Sequence, residues 1–207
     1  MRIQAGILKG RTLRFPGRKT VPPGARPTTG LVRKALFDLL APRIIGSSFL
    51  DLCAGTGAVG LEAASRGAAL VVLVEKDRRV LPCLEENLAM ARSTLDGKAD
   101  LLPRPPRLIL VARGADSAVA ELARAQETFD IVFADPPYNL PSRLLVQMCR
   151  SILAGGLLAA DGVFILQHSR DLARDQAFTE FVLGPEAPFE TRAYGTSRLA
   201  FFRPPRA

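Results

Sequence analysis

The sequence is poor in the residues that make cross-links and metal sites. Its 207 residues include three cysteines, Cys53, Cys83 and Cys149. They are odd in number, far apart and never in Cys-x-x-Cys spacing, which argues against a disulfide framework and a zinc site and leaves no metal expected. Histidine occurs once, at His168, so no obvious proton relay is available. Long apolar runs are missing too. The stretch from Ile152 to Ala160 is short and interrupted by Gly155 and Gly156, well below the length of a membrane span. The opening Met1-Arg2-Ile3-Gln4 lacks the hydrophobic region of a secretory signal. A reduced, cytoplasmic protein is the expectation. There is no internal repeat and no low-complexity run. The 207 residues, 48% of them hydrophobic, suit one domain with a small extension.

The most informative absence is local. Positions 1–34 contain no Asp or Glu but nine of the 28 Lys and Arg residues, among them Lys9, Arg11, Arg26 and Arg33. The other 19 stand against all 20 acidic residues, so the net charge of +8 belongs to this segment. A basic arm on a nearly neutral body is the electrostatic footprint of a polyanion binder. A solvated tail that aids solubility is the plainer alternative. Gly and Pro interleave the charges, however, as in a structured loop rather than a disordered lysine run. The chain divides accordingly into 1–27, a basic hairpin and linker, and 28–207, the main domain.

What is present has a regular rhythm. Residues 2–15 alternate loosely between turn signals at Gly6 and Gly10 and predict a small β-hairpin. Residues 16–27 are rich in Pro and Gly and predict an extended linker. Thr28 or Thr29 is placed to cap a helix whose apolar face is Leu31, Val32, Ala35, Leu36, Leu39 and Leu40, with Arg33 and Lys34 pointing elsewhere. Strands are expected over 48–53, 70–74, 108–112, 129–134 and 162–167. Helices are expected between them, one opening at Pro141 in its favoured first-turn position. Residues 93–106 are polar and Pro-rich and predict a loop, while 169–187 are ambiguous. Two last strands, 189–194 and 197–203, joined near Gly195, must run antiparallel, because a tight turn cannot make a parallel crossover. The fold class is α/β: a Rossmann-like, mostly parallel sheet with its final strand antiparallel and helices on both faces.

The first strand runs into Asp51-Leu52-Cys53-Ala54-Gly55-Thr56-Gly57-Ala58-Val59-Gly60. Gly55-x-Gly57-x-x-Gly60 fits the fingerprint of a dinucleotide-type loop. Glu75, at the end of the next strand, is placed to accept hydrogen bonds from ribose hydroxyls. Asp116, beyond the third strand, is a candidate acceptor for an adenine amino group, with a helix cap as the structural alternative. The pattern by itself does not separate nicotinamide cofactors from other adenosine cofactors. Asp51 bears on the choice, because a carboxylate facing the crevice would repel a pyrophosphate and suit a cofactor with an ammonium group. S-adenosylmethionine is such a cofactor.

Asp135-Pro136-Pro137-Tyr138 follows the apolar run 129–134. Two prolines stop the strand, since neither donates a ladder hydrogen bond. A carboxylate, a stretch of backbone offering only acceptors and an aromatic ring are thus set at the strand's carboxyl end, where open α/β sheets bind ligands. Acceptors beside an aromatic plate suit a flat group that donates N–H bonds, such as the exocyclic amine of a base. A strand-ending turn with a capping Asp is the structural alternative.

Together these features resemble a class I methyltransferase acting on an exocyclic amine. The opening Met1-Arg2-Ile3-x-Ala5-Gly6, Lys9-Gly10-Arg11, Arg26-Pro27-Thr28, Val32-Arg33-x-Ala35-Leu36-Phe37 and the late Tyr194-Gly195 resemble the bacterial family that methylates guanine N2 of small-subunit (16S) ribosomal RNA. The resemblance implies S-adenosylmethionine as methyl donor, with Gly55 and Gly57 lining its methionine part, Glu75 its ribose and Asp116 its adenine. It implies that Asp135, Pro136, Pro137 and Tyr138 hold the target base. The basic arm would contact RNA through Lys9, Arg11, Arg26 and Arg33. The partner would be ribosomal RNA or a small-subunit assembly particle, and nothing points to an obligate dimer. Two departures stand out: residues 93–108 look longer than the family pattern, and Gln167 stands where an acidic residue is expected, with His168 as a partial substitute or, alternatively, a structural residue. A DNA adenine N6-methyltransferase and a non-catalytic RNA-binding assembly protein are the alternatives. A nicotinamide-dependent dehydrogenase is disfavoured by Asp51.

Overall fold

Seven strands form one sheet: β1 (Ser48–Asp51), β2 (Leu70–Val74), β3 (Arg107–Val111), β4 (Phe129–Ala134), β5 (Leu158–Ser169), β6 (Glu190–Tyr194) and β7 (Ser197–Phe202). Their order across the sheet is β3-β2-β1-β4-β5-β7-β6. The first five are parallel, while β7 runs antiparallel to both β5 and β6. The computed structural model describes residues 1–17, 28–98 and 105–204. The greater part of the proposed linker, with Arg26, and part of the 93–106 stretch lie outside the described residues.

Among the described residues six α-helices cover the sheet: α1 (Gly30–Leu40), α2 (Ala58–Ser65), α3 (Leu81–Asp96), α4 (Ala115–Arg124), α5 (Ser142–Ala154) and α6 (Gln176–Leu183). On one face Phe49, Val71, Leu73, Ile131 and Phe133 pack with Leu36 and Phe37 of α1, Leu61 of α2 and Leu84 and Leu88 of α3. On the other, Leu50, Val72, Val132 and Phe164 pack with Val119 of α4, Cys149 and Ile152 of α5 and Phe181 of α6. Central strands buried on both faces read as continuous apolar runs, which is why β2 is Leu-Val-Val-Leu-Val. Because β1 is followed in sequence by β2 on one side and paired with β4 on the other, the order reverses between β1 and β4. A crevice opens there, at their carboxyl ends.

Several boundaries differ from the sequence expectation. Helix α3 continues through 93–96, where Thr94 folds its hydroxyl back onto the Met90 carbonyl. It starts at Leu81 with Pro82 in the first turn, after a turn in which Asp77 accepts from Arg79 N. Strand β5 starts at Leu158 rather than 162, with a register irregularity opposite Phe129 and Ile131. The ambiguous stretch resolves into a 3₁₀ turn over Arg170–Arg174 and α6, whose N-cap Asp175 accepts from Phe178 N.

The N-terminal residues pair as a short antiparallel hairpin: an Arg2–Thr12 bridge is flanked by backbone hydrogen bonds from Ile3 N to the Arg11 carbonyl, Gly10 N to the Ile3 carbonyl and Leu13 N to the Met1 carbonyl. Tertiary contacts anchor it. Ile3, Leu8 and Leu13 are buried in the same core as α1–α3. Leu8 N donates to Ser65 Oγ and Ile7 N to the Ser65 carbonyl, while Gln4 N and Ala5 N donate to the Glu62 carboxylate. Gly6 has φ +75°, and a Cβ there would lie 1.7 Å from the Ser65 carbonyl oxygen, so only glycine allows this approach. Asn87 of α3 ties residue 14 to the glycine loop, accepting from Arg14 N and donating to the Arg14 and Thr56 carbonyls.

Candidate active site

The crevice between β1 and β4 is a cleft of about 330 Å³. It gathers residues from across the chain: Phe15 and Pro16, Thr28, the loop from Asp51 to Thr56, Glu75 to Asp77, Arg113 to Asp116, and Asp135 to Tyr138. Asp51, Gly55, Glu75, Asp116 and all four residues of the quartet therefore border one cavity. Gly57 does not line it. It supports the loop from behind at φ +84°, and its missing side chain makes room for Leu84.

Asp51 is 1% exposed at the tip of β1. Its Oδ2 accepts from Gly60 N at 2.9 Å, and its Oδ1 is buried with no hydrogen-bond partner among the described residues. Burial pushes this carboxyl up to about 7; the Gly60 N–H opposes the rise, the Glu75 charge adds to it, and the nearby Cys53 N–H again opposes it. Glu75 braces the loop, accepting from Gly55 N at 2.8 Å through one oxygen and from Lys76 N and Asp77 N through the other. Oε2, with the Gly55 N–H as its one partner, keeps a second lone pair for a ligand hydroxyl, while Oε1 already accepts from two backbone donors. Asp116 sits exposed in the first turn of α4, at the cleft's far end.

The quartet leaves β4 as the two prolines require. Asp135 is half-buried, and its Oδ2 accepts from the Thr28 hydroxyl at 2.8 Å. Burial pushes its carboxyl up to about 7, against the Thr28 hydrogen bond and with the Asp51 charge adding to the rise. The Pro137 carbonyl is taken by Leu140 N, whereas the Pro136 carbonyl accepts from none of the described residues. Tyr138 is 38% exposed, with its hydroxyl 3.2 Å from Ser197 Oγ at the start of β7. Cys53 borders the same space. Burial raises its thiol well above the usual range, and the Asp51, Asp135 and Glu75 charges add to this, so it is a neutral thiol and not a nucleophile.

Five acids, Asp51, Glu75, Asp77, Asp116 and Asp135, thus border one cleft, and Oδ1 of the buried Asp51 accepts from none of the described residues. Among the described residues Asp51 and Asp135 form no ion pair. Such a site fits a ligand that carries positive charge and N–H donors, and its chemistry fits S-adenosylmethionine.

The proposed RNA contacts separate. Lys9 and Arg11 are exposed. Arg33 is 1% exposed, its Nε 3.6 Å from Glu62 Oε2. Its expected place on an RNA-facing surface is corrected: the helical face that looked polar by its charge faces the N-terminal residues, and the guanidinium is consumed inside. His168 is also buried, its ring 4.8 Å from Phe178 and its Nδ1 2.9 Å from the Ser169 carbonyl. Gln167 has a buried Oε1 with no hydrogen-bond partner among the described residues. Sequence reasoning missed the link from Thr28 to Asp135, the link from Ser197 to Tyr138, and the cleft positions of Phe15 and Pro16. The only signal for Thr28 was its place in Arg26-Pro27-Thr28; the others had none.

Comparison with known proteins shows the family and the fold. The family model described as "Conserved hypothetical protein 95" matches residues 1–203. Ribosomal RNA small subunit methyltransferase D of Escherichia coli K12 is 40% identical over 139 residues, which are 67% of this chain and 61% of that protein. The match thus spans less than two thirds of the relative's length. A solved hypothetical protein of Thermus thermophilus superposes with a TM-score of 0.74 at 33% identity, covering 98% of this chain and 99% of that one. The SAM-dependent methyltransferase from Agrobacterium tumefaciens shares the fold, with a TM-score of 0.58 at 17% identity over 88% of this chain and 64% of that one.

Proposed function

This chain belongs to the family described as conserved hypothetical protein 95, and from that membership we propose that it methylates the exocyclic N2 of a guanine in small-subunit (16S) ribosomal RNA, with S-adenosylmethionine as donor. The observation that carries the proposal is the shared cleft. Asp135 and its prolines, built to hold an amine, border the same cavity as Asp51 and the glycine loop. Donor and acceptor are thereby brought to one place, and positioning of this kind supplies a large part of such a rate enhancement.

When bound, S-adenosylmethionine supplies an electrophilic methyl group on a sulfonium. Asp51, through its unpartnered Oδ1, and the turn at Gly55 hold its ammonium end; Glu75 accepts from the ribose and Asp116 from the adenine. Guanine N2 is a poor nucleophile, because its lone pair is delocalised into the ring. Asp135 and the Pro136 carbonyl accept its two N–H bonds, which draws the nitrogen out of conjugation and stabilises the positive charge that grows on it. The N–C bond forms as the C–S bond breaks, and the alkylated nitrogen is acidic enough to lose its proton to Asp135 without a dedicated base. Tyr138 stacks on the extruded base, offsetting an unstacking cost of roughly a few kcal/mol. Lys9 and Arg11 contact RNA phosphates. The buried His168 has no part in the chemistry.

The test is direct. Labelled S-adenosylmethionine is incubated with undermethylated 30S subunits, free rRNA or DNA, and the methylated nucleoside is identified by mass spectrometry. N2-methylguanosine from the ribosomal substrates is expected; N6-methyladenine from DNA, or no transfer at all, would overturn the reading. Asp135→Ala should reduce turnover by at least roughly 10²-fold, as loss of a group that stabilises transition-state charge does, while leaving cofactor binding largely intact.

A further inference from the structure

We propose that Thr28 is a positioning residue for methyl transfer: its hydroxyl aims the Asp135 carboxylate and keeps it an acceptor for the target amine. This rests on the reading of Asp135 as the group that grips that amine. Two adjacent threonines divide the work at the start of α1. Thr29 is the N-cap, its side chain accepting from Val32 N at 3.3 Å. Thr28 plays no part in the cap. It is 8% exposed, borders the cleft, and reaches a residue 107 positions away to donate to Asp135 Oδ2 at 2.8 Å.

A hydroxyl has one hydrogen, and an ionised carboxylate can only accept. Thr28 therefore fixes one oxygen of Asp135 and leaves the other for the substrate N–H. It also favours the charged form, which alone offers every lone pair to the amine. The surroundings make that donor consequential. Asp51 on β1 bears a like charge and adds to the rise of Asp135 toward 7. Glu75 and Lys76, at the end of β2, border the same cleft with opposite charges. Cys53, in the intervening loop, is a neutral thiol. Alongside, β5 brings the uncharged Gln167 and then His168, whose pKa burial lowers and which is neutral at pH 7. No cation forms an ion pair with Asp135 among the described residues, so the Thr28 hydroxyl is its one side-chain donor. Thr28 also precedes the helix's first turn, whose unpaired N–H groups favour negative charge nearby.

Thr28→Val keeps the shape and removes the donor, and Thr28→Ser keeps the donor and removes the methyl group. Rates are measured from pH 5.5 to 9 with undermethylated 30S subunits and labelled S-adenosylmethionine, beside cofactor affinity. Thr28→Val is expected to lower kcat at pH 7 about tenfold and move the acid limb of its pH profile up by about one unit, with cofactor affinity within about twofold of wild type. Thr28→Ser is expected to restore both kcat and the profile. A wild-type profile for Thr28→Val overturns the proposal, as does a Thr28→Ser variant as impaired as Thr28→Val. If Thr28→Val fails to bind cofactor, Thr28→Ala carries the same pH test. Asp135→Asn separates the two levels. If it turns over like wild type, the reading of Asp135 fails; if it is inactive while Thr28→Val titrates like wild type, only the role of Thr28 fails.

Discussion

Arg33 on α1 lies against Glu62 on α2, both side chains almost completely buried, with Nε 3.6 Å from Oε2. Arg33 also donates to the Arg2 carbonyl at 2.6 Å, and Glu62 accepts from Gln4 N, Ala5 N and Arg66 Nε. One buried charge pair thus joins α1, α2 and the N-terminal residues. Burial lowers the Arg33 pKa and the Glu62 charge opposes that fall. Removing one member leaves the other charged and buried.

Arg33→Met should therefore destabilise the fold by about 3 kcal/mol, the low end for breaking a buried pair because Glu62 keeps Arg66 and two backbone donors. Urea unfolding measures the loss. Amide exchange should show residues 3–13 opening first, and a change within about 0.5 kcal/mol of wild type would mean that the pair does not anchor this segment.

Lys9 and Arg11 should behave in the opposite way. Each is exposed, so Lys9→Ala and Arg11→Ala should leave stability within about 0.5 kcal/mol of wild type. Each should weaken binding to rRNA at every sequence and lower the slope of log affinity against log salt by about one. Salt titrations on the two variants decide whether these residues meet phosphates.

Asp51 and Asp135 carry a pH dependence with a definite sign. Both titrate near 7 in the folded protein, against about 3.9 in the unfolded chain. Their raised values favour the folded state fully below about pH 4, and that contribution is lost as pH rises through 7. A ligand bearing an ammonium group reverses the preference, so S-adenosylmethionine should bind more tightly above pH 7 and release protons on binding. Calorimetry in buffers of different ionisation enthalpy reads the proton count. Asp51→Asn should raise stability at pH 8, weaken cofactor binding and flatten its pH profile.

Tyr138 should act through its ring. Tyr138→Ala is expected to reduce kcat/KM for the ribosomal substrate by about 5- to 150-fold, the loss of roughly 1–3 kcal/mol of stacking. Tyr138→Phe and Ser197→Ala lose only the link between their oxygens, 3.2 Å apart at the cleft rim, and each should stay within about threefold of wild type. Steady-state assays at fixed cofactor compare the three, and a Tyr138→Phe variant as poor as Tyr138→Ala would shift the role to the hydroxyl.

The architecture was legible because its signals are local. An uninterrupted apolar run marked β2, a run broken only at Asp130 marked β4, prolines stopped β4 at Asp135, and the glycine loop marked the turn after β1. The long β5 was only half legible, because Ala160, Asp161 and Gly162 interrupt its apolar run before Val163. The paired arms near the N terminus were legible from the turn signals at Gly6 and Gly10; their anchoring to Glu62 and Ser65, nearly 60 residues away, was not.

The sequence by itself determined the parallel sheet, the crevice edge and the residue types that border it, since period, proline and glycine act within a few positions. Only the tertiary structure decided what the charges do. Arg33 and Lys9 are both basic residues of one segment, yet one is sealed inside against Glu62 and the other faces water. Asp51 and Asp135 are ordinary acids in the sequence, and burial in one cleft brings both to about 7. Thr28 is one threonine among several until the fold sets its hydroxyl on Asp135. Desolvation and contact across long stretches of chain have no local signature, so the site's electrostatics had to come from the packed molecule.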